Sequence, residues 1–380
     1  MTKLNINKSA VPILVALILS IFILNFLSSG KDLELKLDEL ALGEDNKKLL
    51  GIENENIIHC SDLGDLKDCF DSYNNAGDKM PVVLWLGNSQ LHAINQAKND
   101  DEVAPLHLHR KLKNYSMYTL TFSQPNANLQ EHFLLFAHLL NKFPIQTLIL
   151  PIVFDDMRED DLRPNIKDIL NDEKTLETIS SSYTGKKLIH LNKKEKKDVV
   201  SNNKSFKNNS YHNNYFEKKI NDQLSSFWFL WNKRDSLRGE FFSSLYKLRN
   251  TIFSINEKTT RKIIKGPYIK NQKALKDILN LSLEKKIKVL VYIPPLRNDI
   301  KIPYDIKEYE NFKAEVKIIT DNYEIKFISF ENIIQKEFWG FKNSTNLKKK
   351  QEIDFMHFKG EGHKLLADAV FSEVIKIIEY

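Results

Sequence analysis

Five short apolar runs separated by segments of helical periodicity constrain the architecture of this chain. The first, PVVLWLG (81–87), carries no polar side chain, ends in Gly87-Asn88-Ser89 and continues as QLHAINQA. That is the pattern of a buried strand turning sharply into a helix. YSMYTLTF (115–122), IQTLILPIVF (145–154), IKVLVYIPP (287–295) and YEIKFISF (323–330) repeat the apolar texture. Helix-like segments at 128–143, 271–286 and 309–322 separate most of them. Strands buried on both faces and alternating with amphipathic helices predict a parallel sheet covered on both sides. The expected fold is therefore α/β, a three-layer α/β/α sandwich with a parallel sheet of about five strands.

The alternation breaks between 171 and 270. Residues 186–214, KKLIHLNKKEKKDVVSNNKSFKNNSYHNN, are too polar to pack a core, and a helical stretch with Phe227, Trp228, Phe229 and Trp231 follows. This reads as an insertion, a polar loop and then helix. Its aromatic cluster either covers the sheet edge or an insertion core, or serves as a cap or a membrane-docking surface. The chain accordingly divides into 1–9, a cytoplasmic tail; 10–29, a transmembrane anchor; 30–80, a linker and N-terminal extension; and two parts of the sandwich, 81–170 and 271–380, around the insertion at 171–270.

The anchor rests on the apolar run 10–29, which Pro12, Ser20 and Asn25 barely interrupt. About 20 helical residues span the hydrocarbon layer. Lys3 and Lys8 precede the run and KDLELKLDEL follows it, which favours a cytoplasmic N-terminus and a bulk outside the membrane, periplasmic or extracellular. A cleaved signal peptide ending near Ser28-Ser29-Gly30 is the alternative. Cys60 and Cys69, the only cysteines, are placed on the oxidising side and either close a short disulfide loop or remain free thiols. The two thiols and His59 do not complete a metal-ligand spacing, and His132 and His138 are not i, i+4, so neither metal nor cofactor is expected. The formal charge of +6, from 56 basic and 50 acidic residues, lies largely in Lys/Asn-rich stretches rather than an Arg-and-aromatic groove, which argues against nucleic-acid binding. A Gly-rich phosphate loop is also missing.

Two sets of residues carry candidate chemistry. Ser89 lies at the carboxyl end of the first strand, where groups gather in open α/β sheets, at the expected first turn of a helix whose dipole favours negative charge. Near the other end, Asp354-Phe355-Met356-His357 precedes FKGEGHKLLADAVFSEVIKII, an expected loop followed by a C-terminal helix, and stands in the loop ahead of that helix. A carboxylate three residues before an imidazole can fix its tautomer and stabilise its protonated form. His92, three residues after Ser89, falls on the same side of the expected helix and is a candidate for lining the pocket.

These residues resemble the SGNH/GDSL hydrolase superfamily. G-N-S stands where many members have G-D-S, and DFMH with the following GEGHKLLA is similar to their last block. The resemblance covers about 81–170 and 270–380. It implies Ser89 as nucleophile, His357 as base and Asp354 as its partner. In place of a Gly whose N–H serves the oxyanion, this chain has Ser123-Gln124-Pro125-Asn126-Ala127-Asn128, so Asn126 or Ala127 would have to donate. In place of a G-x-N-D-like Asn it reads Ile152-Val153-Phe154-Asp155-Asp156-Met157-Arg158. Arg158 and Arg297 both follow predicted strands; they either bind an anionic group or pair with Asp155, Asp156 or Asp299. The resemblance, taken with the anchor, implies an extracytoplasmic serine esterase or acyltransferase acting on cell-surface polysaccharide or other envelope glycan esters, with a membrane-bound O-acyltransferase as partner. The alternative is a non-catalytic accessory or carbohydrate-binding protein of such a system.

Overall fold

The computed structural model describes residues 46–61, 63–76, 80–203, 248–253, 259–342 and 351–379, all within a unit formed by 38–205 and 246–380. Its strands are β1 (Asn46–Lys48), β2 (Ile52–Glu53), β3 (Asn56–Ile57), β4 (His59–Cys60), β5 (Val82–Gly87), β6 (Ala93–Asn95), β7 (Tyr118–Ser123), β8 (Ile145–Pro151), β9 (Lys288–Ile293), β10 (Lys326–Ser329), β11 (Trp339–Lys342) and β12 (Glu352–Phe358). Its α-helices are α1 (Leu66–Asn75), α2 (Ala104–Lys113), α3 (Leu129–Leu140), α4 (Pro164–Asp168), α5 (Glu173–Ile179), α6 (Tyr183–Asn203), α7 (Lys265–Glu284), α8 (Ile306–Asp321) and α9 (Gly360–Glu379).

The five predicted runs form β5, β7, β8, β9 and β10. The sheet has six strands rather than five, in the order β10-β9-β8-β5-β7-β4, and every neighbouring pair is parallel. The sixth strand, β4, comes from residues expected to be linker. Two residues, His59 and Cys60, paired with Thr121 and Phe122, are too short a run to leave a periodic signal. Cys60 and Cys69 are disulfide-bonded with Cα atoms 6.5 Å apart, tying β4 to α1.

Side chains alternate across each strand. From β5, Val82, Leu84 and Leu86 enter one apolar layer with Phe133, Phe136, Leu275 and Phe312 of α3, α7 and α8. Val83 and Trp85 enter the other, with Leu108, Leu112, Leu366 and Val370 of α2 and α9. The three layers follow from that alternation. From β5 the chain passes to β7 on one side and then crosses to β8 on the other. That reversal leaves a crevice at the carboxyl ends of the strands beside β5.

Three local expectations are corrected. The residues after Ser89 do not begin a long helix: a single 3-10 turn, Ser89–Leu91, leads into β6, which pairs antiparallel with β1. Asp354 and His357 are not in a loop; they lie in β12, paired with β11. The polar stretch expected as a loop from 186 is helical to Asn203, because Ile179 and Leu188 dock α5 and the start of α6 on the core. The apolar run 10–29 and the aromatics at 227–231 lie outside the described residues. Among the described residues no helix is long and apolar enough to cross a membrane.

Candidate active site

β5 delivers Gly87, Asn88 and Ser89 to the switch point. A Cβ at Gly87 would lie 2.4 Å from Leu91 Cδ1 and 2.9 Å from Leu91 Cγ, so a larger residue there would have to displace the buried Leu91 side chain of the 3-10 turn. Asn88 caps the turn by accepting the Gln90 N–H at 3.0 Å, and its Nδ2 donates to Asp156 Oδ2 at 3.0 Å. The ends of β5 and β8 are thereby clamped together. Burial raises the Asp156 carboxyl well above the usual range; the Asn88 bond opposes this and the neighbouring Asp155 charge adds to it.

β12 reaches the same place from the other end of the chain. The step from Trp339 to Phe341 on β11 is matched by the longer step from Phe358 back to Ile353 on β12, so 354–357 bulge out of register. Asp354 Oδ1 accepts the N–H groups of Met356 and His357, each at 3.0 Å, and so closes the bulge. Such bulges re-aim side chains. Here the bulge turns His357 towards Ser89. Ser89 Oγ is 2.9 Å from His357 Nε2, and His357 Nδ1 is 3.0 Å from Asp354 Oδ2. Asp354 also accepts Asn46 Nδ2 at 3.0 Å. Burial works against its ionised form. The facing His357 charge and hydrogen bond, Lys342 and the Asn46 amide outweigh that burial and hold the carboxyl well below its usual range.

Two further side chains hold this geometry. Gln90 Nε2 donates to Met356 O at 2.7 Å and Pro295 O at 2.8 Å, which fastens the Ser89 turn to the His357 bulge. Asn95 Nδ2 donates to Asn46 Oδ1 at 3.0 Å and to Phe341 O at 2.8 Å. Gln90, Asn46 and Asn95 leave no signal in the sequence, because an Asn or Gln meeting a partner hundreds of positions away carries no local pattern.

The remaining predicted residues divide. His92 does not line a pocket. It is fully buried, its Nδ1 is 2.7 Å from Ser123 Oγ, and burial drives its pKa well below the ordinary value; the 3-10 turn gives it a different direction from the helix that was expected. Ser123 Oγ is also 2.6 Å from His59 Nε2. The Ala127 N–H is committed to Gln124 O at 3.3 Å, which removes it as an oxyanion donor, while Asn126 is an exposed turn residue with φ 51°. By contrast, the Ser89 N–H has no acceptor among the described residues. Asp155 binds Arg158, Arg261 and Tyr304. Arg297 is a packed structural residue: it pairs with Asp299 through Nε at 2.7 Å and donates Nη1 to Gly340 O at 2.8 Å.

Among the described residues no group of three His, Cys, Asp or Glu side chains is arranged to hold a metal ion. Surface cavities lined by Tyr183, Lys187 and Lys273, and by Phe133, Ser182 and Glu284, contain none of Ser89, Asp354 and His357. They lie where α3, α6 and α7 meet, and the triad's hydrogen-bond geometry is the better guide to chemistry.

No protein-family model matches the chain, and no curated protein matches it. Among solved structures, a protein of Parabacteroides merdae named as a candidate GDSL-like lipase is 10% identical, with 78% of this chain and 96% of that chain covered and a TM-score of 0.37.

Proposed function

We propose that this chain is an extracytoplasmic serine esterase or acyltransferase that works through an acyl-serine intermediate on envelope glycan esters, held at the membrane by residues 10–29. The observation that carries the chemistry is the Ser89–His357–Asp354 arrangement, with spacings of 2.9 and 3.0 Å. His357 Nε2 takes the Ser89 proton as Oγ attacks the ester carbonyl, and buried Asp354 stabilises the imidazolium and fixes its orientation. Negative charge developing on the carbonyl oxygen is met by the Ser89 N–H. His357 then returns the proton to the departing alcohol, which leaves an acyl-serine. Water, or a second alcohol in a transferase, attacks that ester with His357 again as base. The membrane location, the glycan substrate and a membrane-bound O-acyltransferase partner come from the apolar run and the SGNH/GDSL resemblance.

One observation favours a second reading. With Asp155 and Asp156 in place of a side-chain amide donor, and with the Ala127 N–H committed, the chain is alternatively a non-catalytic accessory of an acylation system. A fluorophosphonate probe separates the two. The enzyme reading expects covalent labelling of Ser89 that His357→Ala abolishes, and release of acetate from an O-acetylated glycan. An unlabelled Ser89 in folded protein would overturn it.

A further inference from the structure

Beside the triad the contacts close into a circuit. Asn88, next to Ser89, donates to Asp156 Oδ2 at 3.0 Å. The neighbouring Asp155 accepts the Tyr304 hydroxyl at 3.1 Å, and that hydroxyl is 3.7 Å from Met356 Sδ. Met356 precedes His357, which returns to Ser89 Oγ at 2.9 Å. Two guanidinium groups are fixed on this ring. Arg158 Nη1 donates to Asp155 Oδ1 at 3.1 Å and its Nε to Lys262 O at 2.8 Å. Arg261 Nη1 donates to Asp155 Oδ2, and its guanidinium lies 5.1 Å from the centre of the Phe355 ring. Both guanidinium groups are thus joined to Ser89 through Asp155, Asp156 and Asn88, and Arg261 also through Phe355, Met356 and His357.

One carboxylate serves two arginines, and the adjacent Asp156 is held towards its neutral form by burial. The side chains of Arg158 and Arg261 remain 25% and 34% exposed. Arg158 Nη2 and both Nε and Nη2 of Arg261 have no hydrogen-bond partner among the described residues. Arg297, 9% exposed and satisfied by Asp299 and Gly340 O, shows what a purely structural arginine looks like in this fold. The ring also has a direction. Phe355 and Met356 belong to the bulge that carries His357, so Arg261, stacked 5.1 Å from the Phe355 ring centre, adjoins the residue to which the proposed function gives the protonation of the departing alcohol.

We propose that Arg158 and Arg261 form an anion subsite that selects esters whose alcohol portion carries a carboxylate or phosphate, as an acidic glycan does. This rests on the esterase or acyltransferase reading and narrows its substrate class. Asp155 and the Phe355 ring hold the guanidinium planes so that their outward N–H groups can meet an anion in the forked geometry arginine favours. Tyr304 fixes Asp155 against the His357 bulge and acts as a positioning residue.

The test uses the purified full chain and three matched aryl acetates: 3-acetoxybenzoate, 3-acetoxyphenyl phosphate and the neutral 3-acetoxybenzamide. The expected result is a kcat/KM at least 10-fold higher for one of the anionic esters than for the amide. The preferred anion tells carboxylate from phosphate. Arg261→Gln or Arg158→Gln should lower the ratio of anionic to neutral kcat/KM about 10-fold, the scale of a lost charged hydrogen bond. Arg261→Lys should keep part of that ratio, which a folding defect would not restore. Equal rates for all three esters, or a ratio unchanged in both Gln variants, would overturn the subsite. Should Ser89 prove unreactive, the esterase reading fails but the subsite is still decided. Tighter binding of 3-hydroxybenzoate or phenyl phosphate than of 3-hydroxybenzamide, weakened about 10-fold by Arg261→Gln, supports it; indifference to charge refutes it.

Discussion

Asn46 Nδ2 donates to Asp354 Oδ2 at 3.0 Å, although 308 positions separate the two residues. The same carboxylate oxygen faces His357 Nδ1, so the Asn46 amide both favours the ionised form and fixes the plane of the carboxylate. Asn46→Ala should lower kcat/KM on an aryl acetate about 10-fold, as expected for losing one hydrogen bond to a charged group. Asn46→Asp should be worse, because it sets a like charge against Asp354. Equal rates for wild type and Asn46→Asp, with folding verified by circular dichroism, would remove Asn46 from the positioning of the site.

Ser89, His357 and Asp354 are expected to behave as one unit. Removing either Ser89 or His357 should reduce ester cleavage by several orders of magnitude, with the double variant little worse than either single one, since members of such a unit are strongly non-additive. Asp354→Asn should cost less than His357→Ala, because an imidazole can still act without its partner. Single-turnover rates on an activated ester decide this. Additive losses, each modest, would mean that the three do not share one proton-transfer step.

The sandwich was legible because its central strands carry continuous apolar runs, such as Val82–Gly87 and Leu148–Pro151, which the sequence pattern shows. The meeting of Ser89, His357 and Asp354 was legible because both of its ends are short local patterns, Gly87-Asn88-Ser89 and Asp354-x-x-His357. What escaped was set by tertiary contact. β4 is two residues long and pairs through the backbone. The bulge in β12 depends on Trp339 and Phe341 finding their partners across it. His92 was misplaced because a 3-10 turn and a helix give different directions three residues on, and the residues after Ser89 fit either. Arg261 was invisible because its partner, Asp155, comes from the end of a different strand.

Asp156 offers a test with a definite sign. Its carboxyl is buried and its folded pKa lies well above the ordinary value of 3.8. A raised carboxylate pKa means the folded state is favoured below the unfolded pKa, and that advantage drains away as pH rises towards the folded value. Asp156→Asn keeps a carbonyl oxygen to accept from Asn88 Nδ2 and cannot ionise. The variant should therefore gain in Tm relative to wild type as pH is raised from about 4 to 8. Melting curves across that range check it. A variant that loses stability uniformly with pH would show that the carboxyl is ionised and needed as such.

Buried histidines, among them His59, His92, His132 and His363, should contribute to the loss of stability at the acid end. Burial lowers His59, His132 and His363 to about 3, and His92 well below the ordinary 6.5. None of the charges acting on these rings is a carboxylate: His59 feels Lys48 and His363; His92 feels His59, Lys48, His357 and His363; His132 feels Arg163; and His363 feels His107 and His357. For His363 the geometry shows why a proton is unwelcome. Its Nδ1 accepts the Ala104 N–H at 3.1 Å while Nε2 faces Ala93 O at 3.2 Å, so protonating Nδ1 sets two donors against each other. His59 and His92 meet on the single Ser123 hydroxyl, which can satisfy them only if one donates and the other accepts. Because the folded pKa values are depressed, the stability is fully present above about 6.5 and is lost as pH falls towards the folded values. Each such ring weakens folding by up to about 1.4 kcal/mol per pH unit below that point. The histidine contribution to Tm should be level between pH 7 and 8 and fall steeply between 6 and 4, and His363→Gln, which keeps an acceptor and a donor without titrating, should flatten the fall. An identical acid slope in wild type and His363→Gln would place the acid sensitivity elsewhere.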